Sequence, residues 1–142
     1  MKSKVIIIGL IASVISFGFI GLQDKEEDGI HFESISLEDA IKKAKSSNKL
    51  IFLDAYASWC GPCKWMDAHT FQDEKVAEFY NDNFINLKID MEKGEGPDIA
   101  RKYKVTAYPT LFFINKDGEV EKKILGAKPA KEFLKIGENL LM

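Results

Sequence analysis

Cys60 and Cys63 are the only thiols in this 142-residue sequence, and two residues separate them. Thiols at that spacing can close a small disulfide ring and reopen it, with the thiolate as the reacting form. The stretch Trp59-Cys60-Gly61-Pro62-Cys63-Lys64 follows an apolar run and precedes a helix-like pattern, which puts Cys60 at a helix start. Unpaired backbone N–H groups and the positive end of the helix dipole favour a charged sulfur there. Cys60 is therefore read as an exposed nucleophile, and Cys63, one turn further in, as the less accessible thiol that resolves a mixed disulfide. Gly61 and Pro62 between them set the stiffness of the turn.

Two other uses of the pair are weaker. A permanent Cys60–Cys63 staple closes so short a loop that it constrains the unfolded chain little. A zinc site needs four ligands, and the remaining imidazoles are His31 and His69. His69 lies six residues beyond Cys63, roughly 9 Å along a helix. No metal and no cofactor is expected, and both histidines read as ordinary surface or partly packed residues.

The elements that must hold the pair can be traced from periodicity. Ile30-His31-Phe32-Glu33 alternates weakly and predicts a short first strand. Ser36 caps a helix whose Leu37, Ala40, Ile41 and Ala44 share one face, ending at Ser46-Ser47-Asn48. Leu50 to Ala57 is nearly all apolar, as in a central strand covered on both faces, with Asp54 as the exception. A carboxylate there is costly to bury unless it is paired, hydrated or protonated.

Trp65, Met66 and Ala68 continue the helix after the cysteines, with a kink or restart at Thr70-Phe71-Gln72-Asp73 and a continuation through Val76, Phe79 and Tyr80. Phe84 to Asp90 predicts the next strand, and Pro97 opens a short helix carrying Ile99, Ala100 and Tyr103. Thr110 to Ile114 and Val120 to Leu125 form a hairpin about Asn115-Lys116-Asp117-Gly118, and Pro129 to Leu141 is a last amphipathic helix. The order β-α-β-α-β-α-β-β-α implies an α/β fold, a mixed central sheet with helices on both faces.

Length and a 46% hydrophobic content suit one domain over residues 30–142. The net charge of −2 is not clustered as a nucleic-acid surface requires. Met1-Lys2-Ser3-Lys4 and the uncharged apolar run Val5 to Leu22 read as a signal peptide or an N-terminal membrane anchor over residues 1–22. Eighteen helical residues would span about 27 Å, close to the roughly 30 Å of a bilayer core. Either outcome, with the basic residues kept inside, puts the domain in the periplasm or on another extracytoplasmic face. Residues 23–29, rich in Asp and Glu, are a solvated linker.

At these motifs the chain resembles the thioredoxin superfamily. Trp59-Cys60-Gly61-Pro62-Cys63 carries the thioredoxin dipeptide, Asp54 stands six residues before the first cysteine, Tyr108-Pro109-Thr110 matches the cis-proline segment, and Gly126 follows the last strand. The likeness spans Gly29 to Met142 and implies the thioredoxin fold. Cys63-Lys64 with Thr70-Phe71-Gln72-Asp73 and Val76 is similar to the secreted branch, in particular the C-terminal domain of the membrane thiol:disulfide interchange reductase of bacterial envelopes.

The resemblance implies that Asp54 accepts the proton of Cys63. It implies that Tyr108, before a cis Pro109, pairs with a substrate strand, and that Trp59 and Tyr108 rim the contact surface. In one departure, the lysine that thioredoxins keep near the buried aspartate falls at Asn86, with Lys88 two residues on along the same face as a partial substitute.

The expected activity is reduction or exchange of disulfides in partner proteins of the cell envelope, recharged by a membrane electron donor. A net oxidant or isomerase with the same site is one alternative. A non-catalytic module that binds proteins through the groove is another.

Overall fold

The computed structural model describes residues 28–142. The expected leader or anchor at 1–22 and the linker residues 23–27 lie outside the described residues. The elements are α1 (Leu37–Ser47), β1 (Leu50–Tyr56), α2 (Gly61–Ala68), α3 (Glu74–Asn83), β2 (Phe84–Asp90), α4 (Gly96–Lys102), β3 (Thr110–Ile114), β4 (Val120–Leu125) and α5 (Ala130–Leu141). The sheet order is β2-β1-β3-β4. β1 runs parallel to β2 and antiparallel to β3, and β3 pairs antiparallel with β4, so the sheet is mixed.

One expected element is corrected. Ile30 to Glu33 does not form a strand. Its amides go elsewhere: Ile30 N–H donates to the Phe71 carbonyl at 2.8 Å and His31 N–H to Asn81 Oδ1 at 2.8 Å. Only Glu33 reaches the edge of β2, at the Asn86 carbonyl, 2.9 Å away. The order therefore begins with α1, and the sheet has four strands.

Local signals account for most boundaries. Ser36 Oγ accepts the Asp39 amide at 3.1 Å and opens α1, and Asn48 closes it in the left-handed region at φ 55°. The helix after the cysteines breaks at residues 69–73, where Thr70 Oγ1 donates to the Lys128 carbonyl at 2.6 Å. It restarts where Asp73 caps α3 by accepting the Val76 amide at 3.1 Å.

Alternation along β1 divides the core in two. Ile51, Leu53 and Ala55 face α1 and α4 among Leu37, Ala40, Ala44, Ile85, Leu87 and Ile99. Phe52 faces the helices α2, α3 and α5, among Met66, Phe71, Val76, Tyr80, Phe84, Phe113 and Phe133. There Tyr80 stacks on Phe133 at 4.2 Å between ring centroids and donates its hydroxyl to the Phe133 carbonyl at 2.8 Å, joining α3 to α5.

Candidate active site

The site forms where β1 ends and α2 begins. The Cys60 amide donates to the Ala57 carbonyl at 3.1 Å, which folds the chain over into the helix. Cys60 is the N-cap of α2, with extended backbone at φ −73° and ψ 113°, and its Sγ accepts the Cys63 amide at 3.2 Å. A sulfur acting as helix cap receives an otherwise unpaired N–H, the interaction that favours a thiolate. Pro62 occupies the first turn, where its missing N–H costs nothing.

Cys60 and Cys63 are joined in a disulfide with their Cα atoms 5.3 Å apart. The expected difference in access between them is corrected in this form: Cys60 is 3% exposed and Cys63 1%. Ala57 clusters with the pair, and Tyr56 and Tyr108 pack against that cluster. Gly61 and Pro62 remain on the surface above it.

The Tyr108–Pro109 peptide bond is cis, as the resemblance implied. Pro109 is buried, its carbonyl accepting the Gly126 amide at 2.9 Å, while Thr110 Oγ1 donates to the Ala107 carbonyl at 2.7 Å and closes the turn. Tyr108 lies half-buried against the disulfide cluster. Trp59, 66% exposed, meets the Tyr108 ring edge-on with centroids 5.8 Å apart. Together they form an aromatic rim beside the sulfurs.

Glu92 was not legible as part of this rim. Its Oε2 accepts the Trp59 indole N–H at 2.6 Å, from a loop thirty-three residues downstream. Burial raises the Tyr108 hydroxyl pKa above its ordinary value, helped by the negative charges of Glu92 and Asp90.

Asp54 is 1% exposed in the middle of β1, opposite Lys88 of β2 and Leu111 of β3. Its two carboxylate oxygens have no hydrogen-bond partner. Lys88 Nζ lies 3.4 Å from Oδ2, at ion-pair distance but without hydrogen-bond geometry. Burial pushes the Asp54 carboxyl up to about 7, with Lys88 pulling it down and Asp67 pushing it further up.

The register assigns the charge partner to Lys88, and Asn86 is occupied elsewhere. Asn86 pairs with Phe52 across the sheet and donates to the Tyr80 carbonyl at 3.2 Å. His69 ends α2 stacked on Trp65 at 5.1 Å, and His31 packs near Asn81 at the far side of α3. Neither approaches the sulfurs as a ligand. Among the described residues, no three His, Cys, Asp or Glu side chains gather as a metal site.

A disulfide capping a helix, packed against a cis-proline segment on a mixed four-stranded sheet, defines a thioredoxin-fold protein with a dithiol–disulfide centre. The chain belongs to the thioredoxin-like domain family, whose sequence model matches residues 37–141. It is 44% identical over 86 residues to mitochondrial thioredoxin-3 of Saccharomyces cerevisiae, covering 60% of this chain and 61% of that protein.

It is 37% identical over 95 residues to the thiol:disulfide interchange protein DsbD of Pasteurella multocida, covering 64% of this chain and 16% of DsbD. The chain thus spans less than two thirds of either relative's length. The solution structure of a candidate disulphide-isomerase from Bacteroides thetaiotaomicron superposes with a TM-score of 0.70 at 47% identity, over 80% of this chain and 96% of that one.

Proposed function

We propose that this chain is a thiol:disulfide oxidoreductase that reduces or exchanges disulfides of partner proteins in the cell envelope. The observation that carries the reading is the Cys60 sulfur at the N-cap of α2, accepting the Cys63 amide beside Tyr108 and cis Pro109. In the reduced protein the Cys60 thiolate attacks one sulfur of the substrate disulfide, forming a mixed disulfide and expelling the other sulfur as a thiolate.

Cys63 then attacks the Cys60 sulfur, which releases the second substrate thiolate and leaves Cys60–Cys63 oxidised. Two electrons pass to the substrate. Asp54 takes the Cys63 proton, and its carboxyl, pushed up to about 7, is poised to accept and return a proton near neutral pH. Tyr108 and Trp59 hold the substrate segment beside Cys60, with the Tyr108 backbone as the pairing edge.

An envelope address is supported by the basic start, the apolar run Val5 to Leu22 and the likeness to DsbD. A reductase there needs a membrane partner to return electrons. Among the described residues, no helix is long and apolar enough to cross a membrane.

Trapping with Cys63→Ser tests the mechanism. Mixed disulfides on Cys60 should accumulate in cells, and their identities should include envelope proteins and the electron donor. If none forms and wild-type protein fails to reduce insulin with dithiothreitol, the exchange reading falls and a binding module takes its place.

A second reading, isomerase or net oxidant, is favoured by the likeness to the Bacteroides protein. Equilibration of the dithiol with glutathione separates the two. A potential near DsbA's roughly −120 mV supports the oxidant, and one near thioredoxin's roughly −270 mV supports the reductase.

A further inference from the structure

Lys88 is one cation shared between two carboxylates. Its ammonium contacts Asp67 Oδ1 directly and lies 3.4 Å from Asp54 Oδ2. It sits in an aromatic enclosure, 4.7 Å from the centre of the Tyr56 ring, 5.6 Å from Phe71 and 5.8 Å from Phe32, with its side chain 20% exposed. A partly desolvated ammonium is tightly bound to whichever anion accepts its hydrogen bond. That anion is Asp67, whose side chain is 42% exposed.

Asp54, which is buried, has Lys88 only at the longer 3.4 Å ion-pair distance, outside good hydrogen-bond geometry. The charged groups acting on Asp54 are Lys88 and Asp67; β3 places Leu111 opposite it, and β1 places Phe52 and the phenol of Tyr56 on its own face. Asp67 follows Cys63 by four residues, one turn along the helix that carries the resolving thiol.

We infer that Asp67 is a positioning residue for the exchange reaction: it shares the Lys88 ammonium with Asp54 and so weakens the lysine's hold on the Asp54 carboxylate, which can then take the Cys63 proton. This rests on Asp54 as the proton acceptor. A cluster of two anions and one cation carries one excess negative charge, and that charge is costliest on the buried carboxylate of Asp54. Without Asp67 the lysine swings fully onto Asp54 and holds it as an unreactive ion pair.

The test follows the Asp54 carboxyl carbon by NMR against pH in the full chain, alongside the pH profile of mixed-disulfide resolution. Asp67→Asn should move the Asp54 midpoint down by about one pH unit, and Lys88→Gln should move it up by about one or more. Asp67→Glu, which keeps the charge and the reach to Lys88, should restore the wild-type midpoint. In the Lys88→Gln background, Asp67→Asn should shift it by less than half as much, because the lysine that Asp67 positions is gone.

An unchanged or raised midpoint in Asp67→Asn overturns the inference, as does an equal shift in both backgrounds. The carboxyl titration is read whether or not the protein turns over. A missing exchange activity therefore counts against the proposed function and not against this arrangement.

Discussion

The two faces of the sheet are packed on different principles. The face under α1 and α4 is aliphatic, built from Leu, Ile and Ala, with Phe112 as the aromatic in its buried set. The face under α2, α3 and α5 is a continuous aromatic cluster, in which Phe52 meets Phe71, Tyr80, Phe113 and Phe133 within 6.0 Å between ring centroids. The charge lies on the aromatic side. Asp54 follows Phe52 on that face, and the Lys88 ammonium rests over the Tyr56, Phe71 and Phe32 rings.

Ring faces carry partial negative charge and tolerate an ammonium that an aliphatic layer would reject. The aliphatic face buries apolar side chains and also backs Tyr108 of the aromatic rim. The aromatic face supplies stability and a place for the acid and its lysine beneath the active-site helix.

Truncation should expose this asymmetry most strongly. Phe52→Ala is expected to cost about 3–5 kcal/mol by urea unfolding, whereas Ile51→Val beside it on the other face should cost about 1 kcal/mol. Equal losses would erase the contrast.

The next effect depends on pH. The folded Asp54 carboxyl binds its proton more tightly than the unfolded one, about 7 against 3.8. The stability it contributes is therefore complete below about pH 4, falls as pH rises through that window and levels off above about 7. At about 1.4 kcal/mol per pH unit, the loss is at most about 4 kcal/mol. Asp54→Asn should flatten that slope in unfolding measured from pH 4 to 8, and a slope that persists would place the titrating group elsewhere.

The smallest effect tests the α3–α5 contact. A Cβ on Gly137 would lie 2.9 Å from both Phe79 Cε1 and the Tyr80 hydroxyl oxygen. Gly137→Ala should cost about 1–3 kcal/mol in thermal or urea unfolding, against the usual gain from replacing a helical glycine. A stabilised variant would show that the aromatic cluster has room to spare.

Much of the site was legible because its signals are local. Cys60, Cys63 and Pro62 lie within one helical turn, and Asp54 stood out as a charge in an apolar strand. The caps Ser36 and Asp73 act over three residues and were equally readable. What escaped depends on distant parts of the chain.

Lys88 was readable as a neighbour of Asp54 from its place on the strand face, and the register between β1 and β2 sets the two opposite each other. Glu92 reaches Trp59 across a loop, and Asp67 reaches Lys88 from another element. The absent first strand was a matter of competition, since Phe71 and Asn81 take the amides of Ile30 and His31. The cluster that buries Cys60 is packed in part by Tyr108, forty-eight residues away in sequence.

The central place of β1 also bears on how the acid is enclosed. Asp54 meets Lys88 thirty-four residues later and Leu111 fifty-seven residues downstream. Pairings that distant carry a loop-closure cost. The burial that raises the proton affinity of Asp54 is therefore a product of long-range contacts and not of its own strand, and a change that loosens β3 against β1 should lower it.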